Sequence, residues 1–257
     1  MTAPVLPGAE PWSHEGTRGV GVLTIHGFTG NPSSMRGMAE ALAGAGFHIE
    51  LPRLPGHGTA VDDMLPTRWS HWTAEVESAY QRLAARTDSV VVAGLSMGAS
   101  LTLWTGLEHP EVAGLVCVNP AAVPQPPEVI EMFDEMIDGG TELMPGIGSD
   151  IADPDAVEIA YDGTPLRALR SLVVDGLAPM SGRYAELTMP LRLFTSRQDH
   201  VVEPAGSEYL AAHHGGTVEH TWLERSYHVA TQDYDRDLIF AETIEFANRV
   251  TTHSSSR

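Results

Sequence analysis

Residues 89–104, SVVVAGLSMGASLTLW, constrain the fold of this chain more than any other stretch. The opening Ser-Val-Val-Val-Ala is β-favouring and has no polar alternation. A strand made from it must therefore be covered on both faces, as happens in parallel sheets flanked by helices. A Gly-Leu-Ser-Met-Gly turn follows, and then an apolar segment of helical character. A strand running through a glycine-rich turn into a helix is the setting in which a serine is held out on a sharp bend. Five letters of the form G-x-S-x-G can also arise by chance, so Ser96 is either a nucleophile or an ordinary loop serine until its surroundings decide.

The rest of the chain repeats the same rhythm. GVGVLTIHG reads as a strand, and SMRGMAEALAGAG as a helix with Met35, Met38, Leu42 and Ala45 at helical spacing and Gly46 as its stop. FHIEL is a strand. Thr67 is placed to cap a long helix with Trp72, Val76, Ala79 and Leu83 on one stripe. VAGLVCVN, LRLFTS and TVEHTWL are further strands. Helices are expected near 203–213 and from about 231 to 250, and a capped helix starting at Thr164-Pro165 with Leu166, Leu169 and Val173 on one face. Alternating strands and helices imply an α/β fold with a mostly parallel central sheet flanked by helices. The rhythm breaks between about 120 and 186, a stretch read as a cap over one end of the sheet.

With 257 residues the chain suits a single large domain. A net charge of −19 argues against nucleic acid and against docking on an anionic membrane, both of which rely on clustered cations. The longest apolar runs are strand-sized, and the first residues have neither a basic start nor an apolar core, so a cytoplasmic location is expected. Cys117 lies in an apolar run, where a buried inert thiol is expected.

A serine hydroxyl needs a base, and the base an orienting carboxylate. On this kind of sheet they follow in the order Ser, Asp or Glu, His, each after a later strand. Asp199 follows LRLFTS by a short turn. Among the twelve histidines, His228 in ERSYHVAT emerges between the last strand and the last helix. His200 adjoins Asp199 but cannot meet it from a separate loop. His213, His214 and His220 look like packing or solvated residues and lack a carboxylate or cysteine at metal-ligand spacing, so no metal is expected. The developing oxyanion needs two backbone N–H groups, expected from Met97 and from Phe28 in IHGFTGN, with His26 as a structural hydrogen-bonding residue.

HGFTG, LPRLPGHGT, GLSMG, the Asp199–Val202 run and SYHVAT together resemble the bacterial monoacylglycerol lipase and carboxylesterase group of the α/β-hydrolase superfamily. The resemblance implies one α/β-hydrolase domain over 1–257 with a small cap at 120–186. It implies Ser96, Asp199 and His228 as catalytic residues, Phe28 and Met97 as oxyanion donors, and no cofactor. It also implies Glu158 as a contact for glycerol hydroxyls, Asn119 as a polar residue near the alcohol site and Ile147 on the pocket wall. The expected activity is cleavage of monoacylglycerols, with a general carboxylesterase as the alternative. A non-hydrolytic receptor on the same fold is the competing class, and a dehalogenase would need an aspartate at position 96. Expected partners are a small lipid ester and transient contact of the cap with a membrane or micelle, with the chain a monomer or homodimer. Two features depart from the relatives: Ala99 replaces a glycine often found after the serine motif, and PQPPEVIEMFDEMIDGG aligns poorly. Met132, Met136 and Met144 are candidates for a soft acyl pocket, or for plain core.

Overall fold

The valine run of residues 89–95 forms a strand whose side chains alternate between two cores. Val90 and Val92 face one and Val91, Ala93 and Leu95 the other. The computed structural model describes residues 3–146 and 149–252. In chain order the first half comprises β1 (Trp12–His14), β2 (Val20–Ile25), α1 (Ser33–Gly44), β3 (His48–Leu51), α2 (Val61–Met64), α3 (Trp69–Ala84), β4 (Ser89–Leu95), α4 (Met97–Glu108) and β5 (Gly114–Val118). An insert then carries α5 (Pro127–Asp138), β6 (Leu143–Pro145), β7 (Gly163–Pro165), α6 (Leu166–Ser171) and α7 (Ala178–Ser181). The chain ends with β8 (Leu191–Ser196), α8 (Ala205–His213), β9 (Val218–Leu223) and α9 (Arg236–Thr252).

Seven strands pair in the order β1-β3-β2-β4-β5-β8-β9; β1 is antiparallel and the others are parallel. On one face α3 packs Trp72, Val76, Ala79 and Leu83 against Leu23, Val92 and Leu115. On the other, α1 and α9 bring Met35, Met38, Leu42, Ile239 and Phe246 against Val91, Val116 and Phe194. Full burial of one such side chain contributes about 1.5–3 kcal/mol, so both helical layers are held chiefly by these stripes. Cys117 is fully buried, and burial pushes its thiol well above the ordinary range. No helix among the described residues is long and apolar enough to cross a membrane.

Between β5 and β8 the insert leaves the sheet. It holds a small core of its own, with Phe133 and Ile137 of α5 against Leu166 and Val173. Tyr161 ties it to the loop after β3, accepting from Thr59 N–H at 2.9 Å and donating to Gly56 O at 2.8 Å. Met136 and Met144 pack on the small core, whereas Met132 is 44% exposed and so lines no closed pocket.

Three expected helix starts move. Thr67 does not cap α3, because its hydroxyl donates backward to Met64 O at 2.7 Å; the helix begins after Arg68. Thr164 and Pro165 belong to β7, paired with Met144 and Leu143, and α6 starts after them without a side-chain cap. The last helix starts at Arg236. A separate short turn covers Ala230–Gln232, and Asp233 between them is extended at φ −109° and ψ −170°.

The sheet order sets the C-terminal ends of β2, β4, β8 and β9 along one edge, where catalytic groups gather in open α/β sheets.

Candidate active site

Ser96 stands between β4 and α4 at φ 57° and ψ −119°, a conformation that a residue with a Cβ rarely adopts and that costs on the order of 1–3 kcal/mol. Neighbouring glycines make the bend feasible. A Cβ on Gly94 would lie 2.1 Å from Gly98 O, and one on Gly98 would lie 2.1 Å from Ile25 O, so helix start and both strand ends are in backbone contact. The bend is held by Ser96 N–H donating to Val118 O at 2.9 Å, and by Ala99 and Ser100 N–H donating to Ser96 O. Ala99 is fully buried within α4, where its methyl is accommodated.

Asp199 follows β8 by a turn that its own side chain closes. Its Oδ1 accepts from the N–H groups of Val201 at 2.8 Å and Val202 at 2.9 Å. Its Oδ2 is then left for His228 Nδ1, which donates at 2.8 Å. The Asp199 side chain is 1% exposed and that of His228 7%. Committing Nδ1–H to the carboxylate leaves Nε2 as the nitrogen that can receive a proton. Ser96 and His228 line one small pocket with Gly27, Phe28, Glu158 and Val201. Among the described residues no hydrogen bond yet joins Ser96 Oγ to His228; such bonds commonly tighten when substrate binds. The space above Ser96 amounts to about 30 Å³, room for a water molecule.

The Phe28 and Met97 amides donate no hydrogen bond among the described residues. Met97 is the first residue of α4, so its N–H has no partner inside the helix. The Phe28 amide is oriented by His26. Leu54 N–H donates to His26 Nε2 at 3.1 Å, which fixes the proton on Nδ1, and Nδ1 donates to Gly27 O at 2.9 Å. Gly27 C=O and Phe28 N–H belong to one planar peptide and point in opposite directions. Burial, and then the nearby His57, hold His26 well below its ordinary pKa, so it stays neutral. His26 is structural, as its place in the sequence suggests.

Glu158 reaches the same pocket from the insert, its Oε1 beside Gly30. Burial raises its carboxyl to about 7, against the opposing pull of His228. Ile147 lies outside the described residues.

Asn119 is not on the pocket wall. It is 1% exposed, sits at φ 44°, and its amide is fully committed to the protein. Nδ2 donates to His228 O at 2.7 Å, Ser196 Oγ at 3.0 Å and Tyr227 O at 3.3 Å, and Oδ1 accepts from Ser196 N–H at 2.7 Å. Asn119 thus ties the end of β5 to β8 and to the loop bearing His228.

The four histidines set aside in the sequence have partners close by in space. His200 pairs with Asp150 at 2.8 Å, His213 with Tyr209 O, His214 with Met189 O and His220 with Thr195 Oγ1. Among the described residues no cluster of three or more His, Cys, Asp or Glu is arranged to hold a metal. Two carboxylates escaped the sequence reading altogether. Asp150 accepts from the His200 and His228 amides, and Asp233 from those of Ala152, Asp153 and Tyr227. Their partners lie up to 81 residues away, and no local spacing announces them.

With this geometry, the chain belongs to the alpha/beta hydrolase family, whose model matches residues 22–242. It is 42% identical over 247 residues to a thermostable monoacylglycerol lipase of Bacillus sp. (strain H-257), covering 95% of this chain and 96% of that protein. It is 25% identical over 232 residues to a carboxylesterase of Bacillus subtilis (strain 168), covering 89% and 92%. Its fold superimposes on a metagenome-derived lipolytic enzyme with a TM-score of 0.90 at 40% identity, covering 96% of this chain and all of the other.

Proposed function

We propose that this chain is a serine ester hydrolase that cleaves monoacylglycerols to fatty acid and glycerol, with Ser96 as nucleophile, His228 as base and Asp199 as its orienting acid. The observation carrying the reading is the meeting, in one pocket, of a serine on a strained bend with a histidine whose far nitrogen is held by a buried carboxylate. In this reading Ser96 Oγ attacks the ester carbonyl carbon while His228 Nε2 takes its proton. The carbonyl π electrons move to oxygen, and the Phe28 and Met97 amides stabilise the charge. Collapse breaks the bond to the glycerol oxygen, which leaves with the proton from His228. Water then gives a proton to His228 and attacks the acyl carbon, and Ser96 Oγ departs with that proton as the fatty acid is released.

We read residues 120–186 as a cap over this site. Glu158 is suited to accept hydrogen bonds from glycerol hydroxyls, because its carboxyl faces the pocket and, among the described residues, accepts no hydrogen bond. A separate cavity of about 450 Å³, lined in part by Val123, Leu177 and Val202, shares Val201 with the wall of the Ser96 pocket and is of a size and polarity suited to an acyl chain. Met132, Leu143, Val157 and Ile159 of the insert are exposed apolar side chains, suited to transient contact with an uncharged lipid surface. The similarity to a monoacylglycerol lipase supports the substrate class. A general carboxylesterase acting on short- to medium-chain esters is the second reading, favoured by the small volume directly above Ser96.

Rates on mono-, di- and triacylglycerols and on short p-nitrophenyl esters, with Ser96→Ala alongside, test this. Monoacylglycerols should be the best substrates, and a fluorophosphonate should label the wild type once per chain and leave Ser96→Ala unlabelled. Undiminished ester hydrolysis by Ser96→Ala would refute the mechanism. Equal rates on short esters and monoacylglycerols would favour the second reading.

A further inference from the structure

The His228 backbone is pinned on both sides, once from the sheet and once from the insert. Its carbonyl accepts from Asn119 Nδ2 at 2.7 Å, and its N–H donates to Asp150 Oδ2 at 3.0 Å. The same Asp150 oxygen accepts from the N–H of His200 at 3.1 Å, Oδ1 accepts from His200 Nδ1 at 2.8 Å, and Asp150 O accepts from Val229 N–H at 3.0 Å. One insert residue thus binds both the loop that carries Asp199 and the loop that carries His228. A second carboxylate repeats the connection in the opposite sense. Asp233, fully buried and following β9, accepts from the insert amides of Ala152 at 2.8 Å and Asp153 at 3.1 Å, and from Tyr227 N–H at 2.8 Å.

We infer that Asp150 is a positioning residue for the base: it holds the His228 peptide against the Asp199 loop, and with Asp233 it makes residues 149–153 of the insert a fixed part of the catalytic frame. The inference rests on the proposed serine-hydrolase reading of Ser96, Asp199 and His228. An ionised carboxylate suits the task because two acceptor oxygens can serve three donors from two loops, two on His200 and one on His228. Burial alone would raise the Asp150 carboxyl. Hydrogen bonds from the His200 side chain and from the His200 and His228 amides outweigh it, and the group lies below its ordinary range. Asp150 does not line the pocket above Ser96, so it acts only through the residues it holds. The same segment reaches Glu158, whose N–H donates to Ser149 Oγ at 3.2 Å, so the base and the insert carboxyl share one support. Residues 149–153 are therefore poorly placed to swing aside for substrate.

The test compares full-length Asp150→Ala and Asp150→Asn with Asp134→Asn, which breaks an α5–α6 contact with Arg170 elsewhere in the insert. The Asn variant keeps the size of the side chain but offers one acceptor oxygen to three donors. Both Asp150 variants should lower kcat on a short p-nitrophenyl ester about ten- to a hundredfold with KM within about threefold, as for small misplacements of a catalytic group. They should also shift or broaden the low-field proton resonance of His228 Nδ1–H, while Asp134→Asn leaves kcat and the resonance as in the wild type. Unchanged kcat and resonance in Asp150→Ala would overturn the inference. An equal loss in Asp134→Asn would do so too, by tracing the effect to general loosening of the insert. Fluorophosphonate labelling and the Ser96→Ala rate are read in parallel, so failure of the serine mechanism is distinguished from failure of the Asp150 assignment.

Discussion

Leu54 and His26 are joined across 28 residues by a single hydrogen bond, and that bond selects which nitrogen of His26 carries the proton. The chosen tautomer holds Gly27 O and thereby aims the Phe28 amide. His26→Ala leaves two buried backbone groups unpaired and frees that peptide to rotate. With Ser96 and His228 intact, kcat should fall about ten- to a hundredfold and KM change little if Phe28 is one of the two proposed oxyanion donors. Steady-state kinetics on a p-nitrophenyl ester decide it; a purely KM-based loss would place His26 outside this role.

His57, packed against the rings of His26, Phe28 and Trp72, is held down to about 4 by burial. Its pKa is lower in the folded chain than in the unfolded one, where it is near 6.5, so the unfolded state binds the extra proton. The contribution is complete above pH 6.5 and is lost as pH falls toward 4, amounting to about 3 kcal/mol. Urea unfolding at pH 7.5 and pH 4.5 should show that loss, and His57→Gln should be less sensitive over the same interval. A parallel pH dependence in the variant would contradict the assignment.

Glu158 has the opposite sign. Its folded-state value of about 7 exceeds the ordinary 4.5, so the proton it retains stabilises the fold below pH 4.5 and that support is lost as pH rises through 7. Glu158→Gln, neutral throughout, should gain in Tm relative to the wild type between pH 5 and pH 8. If the carboxylate also reads glycerol, the wild-type KM for monoacylglycerol should fall over this interval while the variant stays flat. Thermal scans and a KM–pH profile measure both.

Asn119→Asp exchanges donors for acceptors facing three oxygens: His228 O, Tyr227 O and Ser196 Oγ. Replacing a buried, satisfied amide with a carboxylate that faces other acceptors should cost about 3–5 kcal/mol. Asn119→Gly, which keeps the positive φ without strain, should cost less yet still lower kcat. Denaturant midpoints and kcat for the pair provide the check, and equal stability of the two variants would argue against the hydrogen-bond account.

Gly98→Ala places a methyl against Ile25 O, a backbone atom that cannot rotate away. The clash should destabilise the chain by about 2–3 kcal/mol and slow fluorophosphonate labelling of Ser96. Normal labelling in a soluble Gly98→Ala protein would show that the bend tolerates separation of α4 from β2.

Six of the seven sheet strands were legible in the sequence because most are short β-favouring runs bounded by turn residues, and the serine motif lies where such a run meets a helix; β1, three residues with no apolar pattern, went unread. Helix starts were less legible. Thr67 and Thr164 look like caps, but tertiary contacts claim the first hydroxyl for the preceding turn and place the second in a hairpin. The break before α9 follows from Asp233, whose oxygens serve the amides of the insert and of Tyr227 and so keep its own backbone extended. Asn119 and Asp150 share that cause. Their partners lie 77–109 and 50–79 residues away, and one sequence carries no trace of such pairings.

β5 and β8 are neighbours in the sheet, with Val118 beside Phe194. The chain therefore departs from and rejoins adjacent strands, and everything between them is a closed excursion. Recombination could exchange that excursion between related chains without cutting one rung of the sheet. The exchange keeps the strand pairing but not the core or the chemistry: an incoming segment must refill the places of Ala168, Leu172, Leu177 and Tyr184 in the main core, and must bring a carboxylate in the place of Asp150 and free amides for Asp233. New specificities on this scaffold are thus most readily acquired by transplanting the segment together with its two anchoring contacts.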